Sequence, residues 1–201
     1  VCTRVSGKPK LRVTDDGVEK TGLEWPVRTW IRLTGRSKDV GERTYLETKD
    51  ADAAGPFYID EEDATVVRAE TKRPLGVKED QKWFLIRITD GTLVAYDDLE
   101  PEYATLVSPG KGGVPVPGRD NVGESTAPLR AYTVTVKDPA ATKSPEKGKD
   151  RKHWIQDVPH TQYFDPPFAL HAAYWHERFG EMVSAAGTRN VISAEDLREH
   201  V

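Results

Sequence analysis

Short runs of alternating apolar and polar residues, separated by Gly, Asp and Lys turn signals, fill the first third of the chain. Four such runs are Val27–Thr34, Arg43–Thr48, Pro56–Asp60 and Ala64–Arg68. Alternation with a period of two puts apolar side chains on one face of a strand, so each run predicts a half-buried strand. Short strands at this spacing predict a small antiparallel barrel or sandwich, with an SH3-like barrel as one option.

A change in composition near the end of these runs predicts a domain boundary. Residues 1 to 20 are charged and aperiodic apart from Lys10–Gly17, which predicts a frayed arm with one weak strand. Lys72–Gln81 carries Pro, Gly and several charges without periodic apolar residues, as is typical of a surface connection. We therefore expect a small β-rich N-terminal domain at 1–75 and a second domain at 82–201.

The second domain also has the pattern of strands. Lys82–Tyr96 contains two apolar runs around Asp90-Gly91, which predicts a hairpin, and Pro101–Lys111 predicts the next strand. Ala131–Lys137 alternates and predicts one more strand. The second domain is therefore expected to be mostly β as well.

Two stretches of the second domain break this pattern. Asp138–Lys152 is rich in Lys, Pro, Ser and Gly, which indicates a mobile flap, either a disordered surface segment or a lid over a site. Ser193 to His200 has an N-cap serine and acidic residues in its first turn, which predicts a short helix. Because Val201 ends the sequence there, we expect a truncated C-terminus.

Composition limits the classes of partner. The 201 residues are 37% hydrophobic, which suffices for an ordinary globular core. The formal charge of -4, with both signs interspersed, gives no basic face, so we expect no nucleic-acid partner. Cys2 is the only cysteine, which excludes an internal disulfide and a cysteine metal site. No apolar run approaches the length of a membrane span.

The last quarter of the chain mixes aromatic residues, histidines and small residues without an amphipathic period. Burial of one face does not explain this mixture, which is typical of a pocket wall. Three of the five histidines lie between residues 154 and 190: His160, His171 and His176. A zinc site built from them is an alternative, but their spacing is not the His-x-x-x-His of a metal-binding helix. We therefore predict no metal and no cofactor.

Three segments of the second domain match the sequence pattern of a known family. His171-Ala-Ala-Tyr-Trp-His176, followed by Glu-Arg-Phe-Gly, is close to a His-Gly-(Ala/Thr)-aromatic-Trp-His signature. Lys82–Tyr96 and Pro101–Lys111 are close to the Leu-Val-Ala-Tyr and Ala-Thr-Leu-Val-Ser-x-Gly-Lys segments that accompany it. On these residues the domain resembles the L,D-transpeptidase (YkuD-type) family, which cross-links bacterial peptidoglycan through a cysteine acyl-enzyme. The resemblance implies a β-sandwich with short helices.

The second signature of this family, Ser-His-Gly-Cys-Val-Asn-Leu-Ser-Pro-x-Asp, is degenerate here. Ser184 stands at its start, but Ala185–Arg189 occupies the place of the catalytic His and Cys. Gly187 and Thr188 align with Gly-Cys, so the resemblance puts Thr188 at the nucleophile position. A hydroxyl is a far weaker nucleophile than a thiolate unless a base activates it, and His171 is the base that remains.

The resemblance implies a site made from two groups of residues. The catalytic candidates are Thr188, His171, Ser184 and Gly187. The substrate-binding candidates are Tyr163, Tyr174, Trp175, His176, Arg189 and Asn190. As the alternative, the aromatic residues are ordinary core residues and His171 is a pocket-wall histidine bonded to the backbone.

The resemblance also implies a function and a location. We expect an L,D-transpeptidase-family protein that acts on peptidoglycan stem peptides by acyl transfer at meso-diaminopimelate, impaired by the loss of the catalytic Cys and His. The alternative is a non-catalytic, peptidoglycan-binding or structural pseudoenzyme. Such a substrate lies outside the cytoplasm, so we expect a periplasmic or cell-envelope protein whose export signal is not in this sequence.

Overall fold

A computed structural model describes most of the chain as a β protein. Strands make up 59% of the described residues, which contain no α-helix and one 3-10 turn, at Glu61–Asp63. The prediction of a mostly β protein is therefore confirmed. In this described part, no helix is long and apolar enough to cross a membrane. The described residues are 2–3, 7–26, 29–109, 114–120, 126–127, 129–143, 155–166, 168–175, 179 and 191–192.

Fourteen strands occur in the described residues, and they form four sheets. In chain order they are β1 (Cys2–Thr3), β2 (Lys8–Thr14), β3 (Gly17–Trp25), β4 (Leu33–Val40), β5 (Arg43–Asp52), β6 (Gly55–Asp60), β7 (Ala64–Thr65), β8 (Lys82–Arg87), β9 (Thr92–Asp97), β10 (Glu100–Leu106), β11 (Val136–Lys143), β12 (Ile155–Asp165), β13 (Phe168–Ala172) and β14 (Val191–Ile192). β1 pairs with β7 in a two-stranded sheet. The pairing of β13 with β14 is parallel, and the other described pairings are antiparallel.

The first large sheet has the strand order β3-β2-β6-β5-β4 and is curled. Lys38 on β4 donates from Nζ to the backbone oxygen of Val13 on β2 over 3.0 Å. In a flat sheet these two strands would lie three strand spacings apart, about 14 Å, which a lysine side chain cannot span. The sheet therefore bends until its β4 edge approaches β2.

Two predictions for the N-terminal part are wrong. The described residues up to 20 are not a frayed arm, because β2 and β3 pair as a hairpin inside this sheet. The run Val27–Thr34 is not one strand, since β4 begins only at Leu33. Trp30 and Ile31 point into two different apolar clusters. The alternating pattern of this run therefore arises because the chain passes between two cores, not because it forms one strand.

Two of the other strand runs predicted in the N-terminal part are confirmed and a third is confirmed in part. Arg43–Thr48 lies within β5 and Pro56–Asp60 lies within β6, as predicted. Of the run Ala64–Arg68, only the first two residues form a strand. The core on one side of this sheet is a cluster of five buried side chains, Trp25, Ile31, Phe57, Ile59 and Ala64.

The second large sheet, β10-β9-β8, confirms the hairpin predicted at Lys82–Tyr96 and the strand predicted within Pro101–Lys111. Trp83 and Tyr96 stack across it with ring centroids 4.1 Å apart and planes at 6°. Trp30 from the N-terminal part packs against the same cluster. Packing of Trp30 against this cluster therefore joins the two parts of the chain.

The predicted surface connection at Lys72–Gln81 is confirmed, since it contains no strand and Leu75 is 94% exposed. Arg73 nevertheless anchors it to the residue that follows β9. Both oxygens of Asp98 accept hydrogen bonds from the guanidinium of Arg73, one of them over 2.8 Å. This bond holds the pKa of Asp98 below its usual value.

The third large sheet, β11-β12-β13-β14, corrects two more predictions. The strand expected at Ala131–Lys137 begins only at Val136, although the backbone N–H of Thr135 still bonds to Tyr163 over 2.8 Å. The prediction of a mobile flap at Asp138–Lys152 is wrong for its first six residues. They belong to β11, because pairing with β12 outweighs their polar composition. The remainder of that range and the helix predicted from Ser193 to His200 lie outside the described residues.

One apolar cluster packs the second and third sheets together. Leu93 and Val107 from the second sheet region contact Leu170 and Ala172 on β13. Successive side chains of a strand point to opposite faces, so His171, between Leu170 and Ala172, faces away from this cluster. The packing of the two sheets thus sets the direction in which the candidate site residue points.

Candidate functional site

His171 is a fully buried residue near the end of β13, with 0% of its surface exposed. Its Nδ1 lies 2.8 Å from the backbone oxygen of Ala172. A carbonyl oxygen only accepts hydrogen bonds, so Nδ1 carries a proton; when the ring is neutral, Nε2 is its acceptor nitrogen. The backbone bond proposed for a pocket-wall histidine is therefore present.

An aromatic row runs from His171 towards the surface. The His171 and Trp175 rings are 5.8 Å apart at 35°, and the Trp175 and Tyr174 rings meet edge to face at 5.1 Å. Tyr174 is 61% exposed, and its hydroxyl donates to the backbone oxygen of Gln156 over 3.0 Å. The row therefore offers an exposed aromatic side chain, fixed at its hydroxyl, beside a buried imidazole.

Tyr163 lies on the same face of the third sheet as His171. It stands opposite Ala169 in the register of β12 and β13, and opposed residues share a face of the sheet. His171 follows Ala169 by two positions along β13, so its side chain also points to that face. The structure thus brings His171, Trp175 and Tyr174 together and places Tyr163 on the same face of the sheet as His171.

The parallel pairing of β13 with β14 joins the two motif segments found in the sequence. His171 is opposite Val191, and Ala172 is opposite Ile192. The residue before β14 is Asn190, which aligns with the Asn of the degenerate second signature. The other predicted site residues, His176, Ser184, Gly187, Thr188 and Arg189, lie with Asn190 outside the described residues.

Gln162 is a buried polar residue that the sequence did not single out. It is 1% exposed, and its Nε2 has no hydrogen-bond partner in the described structure. It stands opposite Leu170, so it lies on the face that packs against the second sheet. A glutamine beside Thr161 in a strand gives no sequence signal of burial, since amide side chains are mostly exposed.

A second missed feature is the charged group on the curled first sheet. Glu47 is 6% exposed, and its carboxylate accepts from Arg36 Nε over 2.9 Å and from the Tyr58 hydroxyl over 3.0 Å. The Arg36 hydrogen bond, the largest influence, holds the pKa of Glu47 below its usual value despite burial. Burial, followed by the bond to Glu47, raises the pKa of Tyr58. This network stabilises the sheet and is remote in sequence from every predicted site residue.

A surface depression lies between the β2–β3 and β4–β5 turns. It is lined by residues 13–17 and 38–41. Among the described residues, no group of three His, Cys, Asp or Glu side chains is arranged to hold a metal ion. His160 and His171 are described but form no such group, and His176, the third histidine of the zinc alternative, lies outside the description.

Comparisons with protein-family models, with curated proteins and with solved structures found no match for this chain.

Proposed function

We propose that this chain is an L,D-transpeptidase-like cell-wall protein that holds peptidoglycan stem peptides without the cysteine chemistry of that family. In this proposal the second and third sheets are its sandwich and the curled first sheet is an SH3-like unit in front of it. The protein works in the periplasm or cell envelope, where peptidoglycan lies.

The observation that carries the proposal is the register of β13 with β14. In the sequence, the first signature and the degenerate second signature are separate segments, and His171 and Val191 are twenty residues apart. In the structure these two residues are opposed in neighbouring strands. Two motifs that form one site are expected to lie next to each other in the fold. The parallel pairing of β13 with β14 supports this expectation for the two segments.

The residues present favour binding over cysteine-type acyl transfer. Cys2, the one thiol in the sequence, belongs to a strand that pairs with Thr65 of β7 and not with the third sheet. The aligned nucleophile is the Thr188 hydroxyl, which needs a base held against it. His171 has the tautomer of a base, but with no exposed surface its ring would lose hydration on becoming charged.

Tyr174 is the side chain through which we expect the stem peptide to be held. It combines an exposed aromatic face with a hydroxyl already fixed to the backbone of Gln156. A rigid, partly exposed aromatic ring adds contact area at a small cost in side-chain entropy.

Co-sedimentation with purified sacculi tests the binding proposal. We expect the protein to pellet with sacculi, and Tyr174→Ala to weaken retention by about fivefold or more, the loss typical of a residue that anchors an interface. Leu75→Ala changes an apolar residue on the connection that is even more exposed, 94% against 61% for Tyr174, and should bind as the wild type does. Retention no greater than that of an unrelated acidic protein would refute the proposal.

Intact-mass analysis after incubation with a tetrapeptide stem separates binding from chemistry. We expect no covalent adduct and no released D-alanine. Release of D-alanine that disappears in the Ser184→Ala, Thr188→Ala double variant would show a working hydroxyl nucleophile, and the protein would then be an enzyme instead.

A further inference from the structure

We draw no further inference here: the strongest candidate, the depression between the β2–β3 and β4–β5 turns, is lined by Asp15, Asp16 and Asp39 beside Lys38, and nothing in the structure shows what this acidic cluster would hold.

Discussion

Leu93→Ala and Leu170→Ala, made singly and together, test the packing that directs His171. Leu93 on β9 is 1% exposed and Leu170 on β13 is 3% exposed, and both belong to the cluster between the second and third sheets. Each substitution removes three buried carbons, about 2.4 kcal/mol at about 0.8 kcal/mol each. Because the cavity left behind adds to this loss, we expect about 3 kcal/mol per single variant.

Urea unfolding followed by tryptophan fluorescence measures these losses. With a urea m-value on the order of 2 kcal/mol/M, about 3 kcal/mol lowers the unfolding midpoint by about 1.5 M. Leu75→Ala is the matched control, since the same substitution at a 94% exposed position should change stability by less than about 0.5 kcal/mol.

The double variant decides whether the two leucines share one cluster. Residues in contact couple, so the combined loss should differ from the sum of the single losses by about 0.5 kcal/mol or more. Two outcomes would mean that the two sheets do not pack through this cluster. The free-energy loss of the double variant could equal the sum of the single losses to within about 0.3 kcal/mol, or Leu93→Ala could cost no more than the control Leu75→Ala. The direction assigned to His171 would then have no support.

Three further outcomes are expected. The pKa of Glu47 is lowered, so its carboxylate stabilises the fold above the unfolded value of 4.5, and this contribution is lost as pH falls through the folded pKa. The urea midpoint of Glu47→Gln should therefore fall less than that of the wild type between about pH 6 and about pH 3, whereas the exposed control Glu42→Gln should follow the wild type. Burial raises the pKa of Tyr96, so Tyr96→Phe should leave the phenolate absorbance at pH 10.0 nearly unchanged and remove only absorbance that develops at higher pH; loss of one tyrosine's full share at pH 10.0 would contradict this burial. Thr188→Cys with Ala185→His should gain a tripeptide mass adduct from the tetrapeptide stem; absence of the adduct in the folded variant would count against the alignment of that loop.

Strands with a clear period and a turn signal could be predicted from the sequence. Lys82–Tyr96 is such a case, because the Asp90-Gly91 turn fixes the hairpin locally. β3 could not be found this way, since most of its side chains are exposed or half-buried and show no clean alternation. Val27–Thr34 shows the reverse error, in which alternation comes from side chains that enter two separate cores. An alternating sequence pattern therefore identifies a strand only where that strand belongs to a single sheet and buries one of its two faces.

In the candidate site as well, residues close together in sequence could be singled out, whereas residues whose burial depends on distant partners could not. Its aromatic residues and His171 are contiguous in sequence, so their composition alone indicated a wall of a site. Glu47 and Gln162 were missed because burial of a charge or an amide depends on partners that are distant in sequence, such as Tyr58 on a neighbouring strand. Glutamate and glutamine side chains are normally exposed, so nothing in the sequence indicated that these two would be buried.

The state of His171 gives a physical reason for a binding role over catalysis. A general base must become charged during the reaction, and a charge without hydration is costly unless nearby groups stabilise it. His171 has no exposed surface, and its Nδ1 proton is already held by the carbonyl of Ala172. That bond fixes the ring orientation and, together with packing against Trp175, gives the histidine a structural role that needs no nucleophile. A buried histidine held in this way fits the proposed binding role better than that of a general base.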